Sequence, residues 1–183
     1  MKGSVFFTLE GSRRVMSFKK TSSVVLISVD ATETAANTFT ETEHDLQLSP
    51  LDNEVFVVVA LDAAPAPPDA IAATDTSTSV SISTTSRTAV GNIGDNNVLG
   101  ASESAIRAAG FVDGGVGFQQ LATEAPTGAV DYIGIIATNN FFTQIEGAGN
   151  AAAKSAGVRL WGYRARADAA TYAALVQSEV LSS

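Results

Sequence analysis

At 183 residues with 45% hydrophobic content, the chain is sized for one domain with a closed core. It contains no cysteine, which excludes a disulfide framework, a thiolate metal site and a thiol nucleophile. Only 16% of residues are charged and the net charge is −8, against about 25% charged in typical soluble domains; so sparse a charge suits an exterior covered largely by further protein.

The sign of charge is unevenly divided. Lys2, Arg13, Arg14, Lys19 and Lys20 oppose Glu10 alone in residues 1–20, whereas residues 21–86 hold ten acids and no Lys or Arg. A basic arm over 1–20 leading into one domain over 21–183 is therefore expected. Opposite signs on one chain favour contact between copies, with plain solvated surface as the alternative. The start, Met1-Lys2-Gly3-Ser4-Val5-Phe6-Phe7, lacks the apolar core of about 7–15 residues of a secretory signal. No run approaches the roughly 18 apolar residues of a membrane span, so a chain without membrane contact is expected.

In chain order, residues 4–9 suit a short strand, and 15–20 form a basic segment anchored by Val15, Met16 and Phe18. Residues 23–29 are β-branched and apolar on both faces, a strand ended by Asp30. An acidic link over 31–49 follows, with Phe39, Leu46 and Leu48 as anchors, the two leucines on one face of a strand; Pro50 and Asp52-Asn53 then turn the chain. Residues 54–61 are the most hydrophobic run and do not alternate, so both faces of that strand must be covered. Three prolines in 63–68 mark an extended connection that cannot continue a ladder.

Residues 77–85 alternate Val80 and Ile82 with Ser and Thr, a strand with one wet face. Residues 91–97 are loop-forming, and 102–109 read as a short helix capped by Ser102 and stopped by Gly110. Phe111-Val112, Val116 and Phe118 are short apolar pieces between glycines, and 126–128 make a turn. Three closing strands follow over 132–136, 141–145 and 158–164, separated by Asn139-Asn140 and by Gly147-Ala148-Gly149-Asn150. Asp168 caps a final helix to Leu181, with Tyr172, Leu175, Val176 and Val180 as its apolar stripe. Seven to nine strands and two short helices predict an all-β antiparallel sandwich, with a jelly roll as one form it can take.

The constellations that carry chemistry are thin. His44, the only histidine, stands between Glu43 and Asp45, yet no Gly-x-Ser-x-Gly elbow accompanies it, and a solvated loop histidine is the preferred reading. One histidine without cysteine is too few ligands for zinc. Asp95-Asn96-Asn97, or Asp30 with Glu33, offer oxygens for calcium but not the spacing of a calcium loop. Gly91-x-x-Gly94 and Gly114-Gly115-Val116-Gly117 lack the Lys and the strand-to-helix setting of a phosphate loop. The acids of 30–75 could furnish a glycosidase pair, although nothing in the sequence pairs them. No cofactor or metal is expected. Nucleic-acid binding by the first twenty residues is disfavoured in so acidic a domain.

Two surfaces remain. One is a protein contact formed by Arg13, Arg14, Phe18, Lys19 and Lys20 of the arm with Arg164 and Arg166 of the last strand. The other is stacking of sugar rings on Trp161 and Tyr163, with Tyr132 a lesser candidate, against core packing of the same rings.

The run Asp131-Tyr132-Ile133-Gly134-Ile135-Ile136, Asn139-Asn140-Phe141-Phe142, Gly147-Ala148-Gly149-Asn150 and Arg159-Leu160-Trp161-Gly162-Tyr163-Arg164-Ala165-Arg166-Ala167-Asp168 resembles virion structural proteins, especially small capsid or decoration proteins of marine tailed phages. The resemblance is one of texture over about the last fifty residues and the 54–62 strand, and it assigns no residue a role. It implies a non-enzymatic shell component of a virion whose partners are copies of itself and other virion proteins. The alternative is a carbohydrate-binding, receptor-recognising sandwich module.

Overall fold

The computed structural model describes residues 18–110, 114–124 and 131–181, with Thr123 and Glu124 as backbone alone. The strand expected at 4–9, the anchors Val15 and Met16, the arginines Arg13 and Arg14, Phe111-Val112 and the turn at 126–128 lie outside the described residues. The elements are β1 (Lys19–Lys20), β2 (Val25–Thr32), β3 (Thr40–Asp45), a 3-10 turn (Pro50–Asp52), β4 (Glu54–Pro65), β5 (Thr76–Ser83), β6 (Val98–Arg107), β7 (Val116–Gln120), β8 (Ala122–Glu124), β9 (Gly134–Ile136), β10 (Asn140–Ala148), β11 (Ser155–Arg166) and helix α1 (Ala169–Leu181).

Among the described residues all strand pairs are antiparallel. In one sheet β11 is flanked by β1 and β2 on one side and by β4 on the other, and β4 carries β8 and β9 on its far side; the second sheet runs β3-β10-β5-β6-β7. With the short β1, β7 and β8 set aside, β2-β11-β4-β9 faces β3-β10-β5-β6. The chain changes sheet at β2 to β3, β3 to β4, β4 to β5, between β6 and β9, at β9 to β10 and at β10 to β11. That order is the double Greek key of a jelly roll, so the expected sandwich is present in its jelly-roll form.

The main core lies between the sheets: Phe56, Val58 and Leu61 of β4, Val158 and Leu160 of β11, Val80 and Ile82 of β5, and Phe141 and Ile145 of β10 are all buried. Each such side chain stabilises the fold by roughly 1.5–3 kcal/mol. The outward side of β4 is covered as well. Val55 and Val57 join Ala165 in a second cluster, closed by Tyr172, Leu175 and Val176 of α1 and by Phe18. A layer on each side explains why β4 is apolar without alternation. Gly162, at a shift in the β11–β4 register, lets the two strands approach; a Cβ there would lie 2.3 Å from the Phe56 ring and 2.6 Å from the Val57 carbonyl oxygen.

Several expectations are corrected. Residues 102–109 do not form a helix: they belong mainly to β6, and Ser102 bridges the sheets, donating to the Ala63 carbonyl at 2.7 Å and accepting the Ala122 N–H at 2.6 Å. The hydroxyl that looked like a cap is satisfied across the sandwich instead. The supposed wet face of β5 is dry at Ser81 and Ser83, both fully buried, because the following loop folds over it. Asp30 does not end β2, which runs to Thr32. Leu46 and Leu48 are buried but in a loop, since β3 stops at Asp45 and Gln47 has φ 52°. Pro65 continues the ladder opposite Ala156; β8 pairs only as far as Ala63, so the missing N–H of Pro65 costs no partner on that side. In the first closing strand only Gly134–Ile136 pair.

Candidate functional site

The described part of the basic arm lies on its own chain. Lys19 and Lys20 pair with Arg166 and Ala165 at the end of β11, Phe18 packs into the helix-side cluster, and the Lys20 ammonium sits 4.4 Å from the centre of the Tyr163 ring, in cation–π contact. Arg164 bonds Glu54 at 3.1 Å and the carbonyls of Gln47 and Leu46 at 3.0 and 2.7 Å. Arg166 pairs with Asp52 at 2.9 Å. The arm's end and both arginines are thus brought together at one end of the sandwich. Elsewhere Lys154 meets Asp69, Arg107 meets Asp75, and Arg87 meets Asp95. Folding therefore sets much of the acidic middle against bases from the same chain.

The catalytic and metal candidates do not converge. His44 is not a solvated loop residue: it lies in β3, stacks on buried Phe141 with ring centres 4.8 Å apart, and its Nε2 is 2.9 Å from the Thr143 hydroxyl. Burial holds its pKa below the usual 6.5. Its neighbours turn elsewhere, Glu43 to the Asn140 amide and Asp45 to the Asn139 amide and the Gln47 N–H. Asp95 accepts from Arg87 and from the Asn92 N–H. Glu33 is enclosed and accepts the N–H groups of Thr38, Gly147 and Lys154, while Asp30 pairs across to Gly157 on another face. No three metal-ligating side chains come together among the described residues.

Polar residues, most of them not singled out by the sequence, tie the sandwich's ends and loops. Asn150 is buried and joins Asn37, Ser77 and Asp69, Asp69 in turn holding the Ala151 N–H and Lys154. The Lys154 bond above all holds the Asp69 pKa below the ordinary carboxylate range. Asp75 is lowered likewise by the N–H groups of Ala109 and Ala108, and Asp168 by Thr171, whose hydroxyl and N–H it caps. Over β5, Gln144 accepts from Ser81 and donates to Ser83 and Glu41, which accepts the Arg87 N–H. On α1, Glu179 is buried and accepts the N–H groups of Ala137 and Thr138 at 3.0 and 2.9 Å. It takes the place expected of Val180, which is 58% exposed.

Of the aromatic candidates, Tyr132 and Tyr163 pack against the helix-side cluster. Trp161 belongs to neither cluster and is partly exposed. It pairs across to Leu26 and Ala60, two residues along β11 from Arg159, which with Asp30, Asp62 and Gly157 among others lines a shallow depression of about 410 Å³.

The two edges of the second sheet differ. Along β3, Glu41, Glu43 and Asp45 alternate, the acidic guard that keeps an edge from pairing. Every residue of β7 is exposed, with Val116 at 49% and Phe118 at 58%, and Leu121 follows at 50%. Val24, Val25 and Leu26 at the edge of the first sheet are also exposed. The sequence signal for β7 was its apolar residues at 116 and 118, which the surrounding glycines obscured.

No protein-family model matches the chain and no curated protein matches it. Among solved structures, a chain of Desmodium yellow mottle tymovirus aligns over 91% of this chain and 94% of its own, at 10% identity and a TM-score of 0.26, a likeness too slight to bear on fold or function.

Proposed function

We propose that the chain is a virion structural protein, a non-enzymatic shell component of capsid or decoration type that associates with copies of itself and with other virion proteins. The observation that carries this reading is the placement of bare apolar side chains at sheet edges: Val24 to Leu26 on one sheet and Val116 and Phe118 on the other, with Leu121 just beyond. A jelly roll is a fold that capsid proteins use among others, and edges left apolar and unguarded are surfaces for further protein. Light scattering coupled to size-exclusion chromatography tests it. Discrete oligomers at micromolar concentration, or binding to particles, are expected; a monomer that binds no particle overturns it.

One observation favours a second reading, a carbohydrate-binding module: Trp161 stands partly exposed on β11 two residues from Arg159, whose depression holds two carboxylates and a guanidinium, a succession of ring and hydrogen-bonding groups that suits a sugar. Glycans that quench Trp161 fluorescence would support it, and an indifferent spectrum across a glycan panel would remove it.

A further inference from the structure

We infer that β7 is a pairing edge for a second copy of this chain, joined antiparallel about a two-fold axis at Phe118. The proposal rests on the self-association reading above and names its contact.

Sheet edges that stay single are ordinarily short, charged or covered, and β3 follows that rule with three acids in six residues. The opposite edge, β7, does not. Its sequence, Val116-Gly117-Phe118-Gln119-Gln120, carries no charge, and among the described residues only β6 pairs with it. Hollows lie along both of its sides. Phe118 borders one of about 410 Å³ with Glu103, Ala105 and Arg107; Gly117 borders another of about 400 Å³ with Ile71, Ile106 and Gly115. Both hollows lie over the β6–β7 pair, and a strand added at the free edge would occupy its backbone groups.

The occupant follows from register and charge. Val116 lies opposite Arg107 of β6, Phe118 opposite Ala105, and Gln120 opposite Glu103. Parallel pairing with a second β7 would align like-charged rows. Antiparallel pairing reverses them, so the row that begins at Arg107, which also meets Asp75 of its own chain, ends three strands away at Glu103 of the second copy, and the arrangement is self-complementary, as a two-fold contact must be. Phe118 is the middle residue of the strand, so an axis there uses the whole ladder. It sets Phe118 against Phe118, a favoured cross-strand aromatic pair, and sets Val116 against Gln120.

The test uses the full chain, which has no cysteine and so gives clean single-cysteine variants. Sedimentation velocity is run on the wild type, F118K and V116K, and mild oxidation is applied to F118C and V116C. A wild-type dimer, weakened about 30-fold or more by F118K as a central aromatic contact implies, with F118C cross-linking and V116C not, is the expected result. Because Phe118 is exposed, F118K should melt with the wild type at concentrations where both are monomers, the wild type gaining stability only as it dimerises; V116K gives the same reading should F118K alone unfold. If the wild type associates and both lysine variants associate equally well, this edge is overturned while the self-association reading stands. If V116C cross-links as readily as F118C, the register is overturned. If the wild type is a monomer, this edge is overturned, and the proposed function falls with it only where the chain also binds no particle.

Discussion

Glu179 is a carboxylate on the buried side of a helix, and the fold keeps it there because it closes two backbone donors. The N–H groups of Ala137 and Thr138 follow β9 in a stretch that has left its ladder, and the Glu179 oxygens accept both. A buried N–H left without an acceptor costs about 1–3 kcal/mol. E179A should therefore lower stability by about 2 kcal/mol in urea unfolding near neutral pH, and E179Q, which keeps one acceptor oxygen, by less. Desolvation is the larger influence on this group and raises its pKa above the ordinary 4.5, against the opposing pull of the two N–H bonds. For a raised carboxyl the stabilisation is complete below 4.5 and is lost as pH rises through the folded value. E179Q should lack that decline, and chemical unfolding across the interval reads it directly.

At the scale of elements, each strand or helix is decided by what lies on its two sides. Residues 102–109 mix Ala, Ser and Glu, all acceptable to a helix. They become β6 because the chain needs a strand between β5 and β7, and because alternate residues meet different neighbours: Gly100 and Ser102 face β4, and Ala105 lies opposite Phe118. β5 was legible from Val80 and Ile82, whereas the burial of Ser81 and Ser83 depended on a loop that folds back from residues 86–97. Helix α1 was legible almost throughout, since Asp168 caps it and Tyr172, Leu175 and Val176 lie three and one residues apart on one face. Its docking over Val55 and Val57 leads to a further expectation. L175D, by burying an unpaired charge in that contact, should detach the helix while the sandwich persists, seen as loss of helical ellipticity and faster amide exchange at Val55 and Val57 with protection retained at Val80 and Ile145.

For the molecule as a whole, the segregation of charge along the sequence changes meaning on folding. The acids of the middle meet Arg164, Arg166, Lys154 and Arg107 of the C-terminal half, so much of what looked like attraction between copies is attraction within one. Most of these pairs lie at the surface and are individually weak. The sandwich is held by its two apolar clusters. Its acid response has an identifiable source in His44, whose neutral ring is packed on Phe141 and whose pKa is lowered by burial. For a base lowered in this way, the stabilisation is present above the unfolded value of 6.5 and is lost as pH falls through the folded value, because the unfolded chain takes up the proton more readily. H44F should flatten the thermal-melting profile on the acid side of 6.5 relative to the wild type. An unchanged slope would place the acid sensitivity elsewhere.

What the residues determined by themselves was the class of fold and the position of its strongest strands: β-branched and aromatic runs broken by Asn, Gly and Pro leave few outcomes but a sandwich, and the unalternating run of β4 announced a strand covered on both sides. Which polar groups would be dry, which basic residues would be spent inside the chain, and which edge would stand bare were decided only by the tertiary structure. The reason is range. Periodicity and turn chemistry act over a few residues, whereas Ser102, Glu179 and Arg164 derive their roles from segments roughly 20 to 120 residues away, brought beside them only when the sandwich closes.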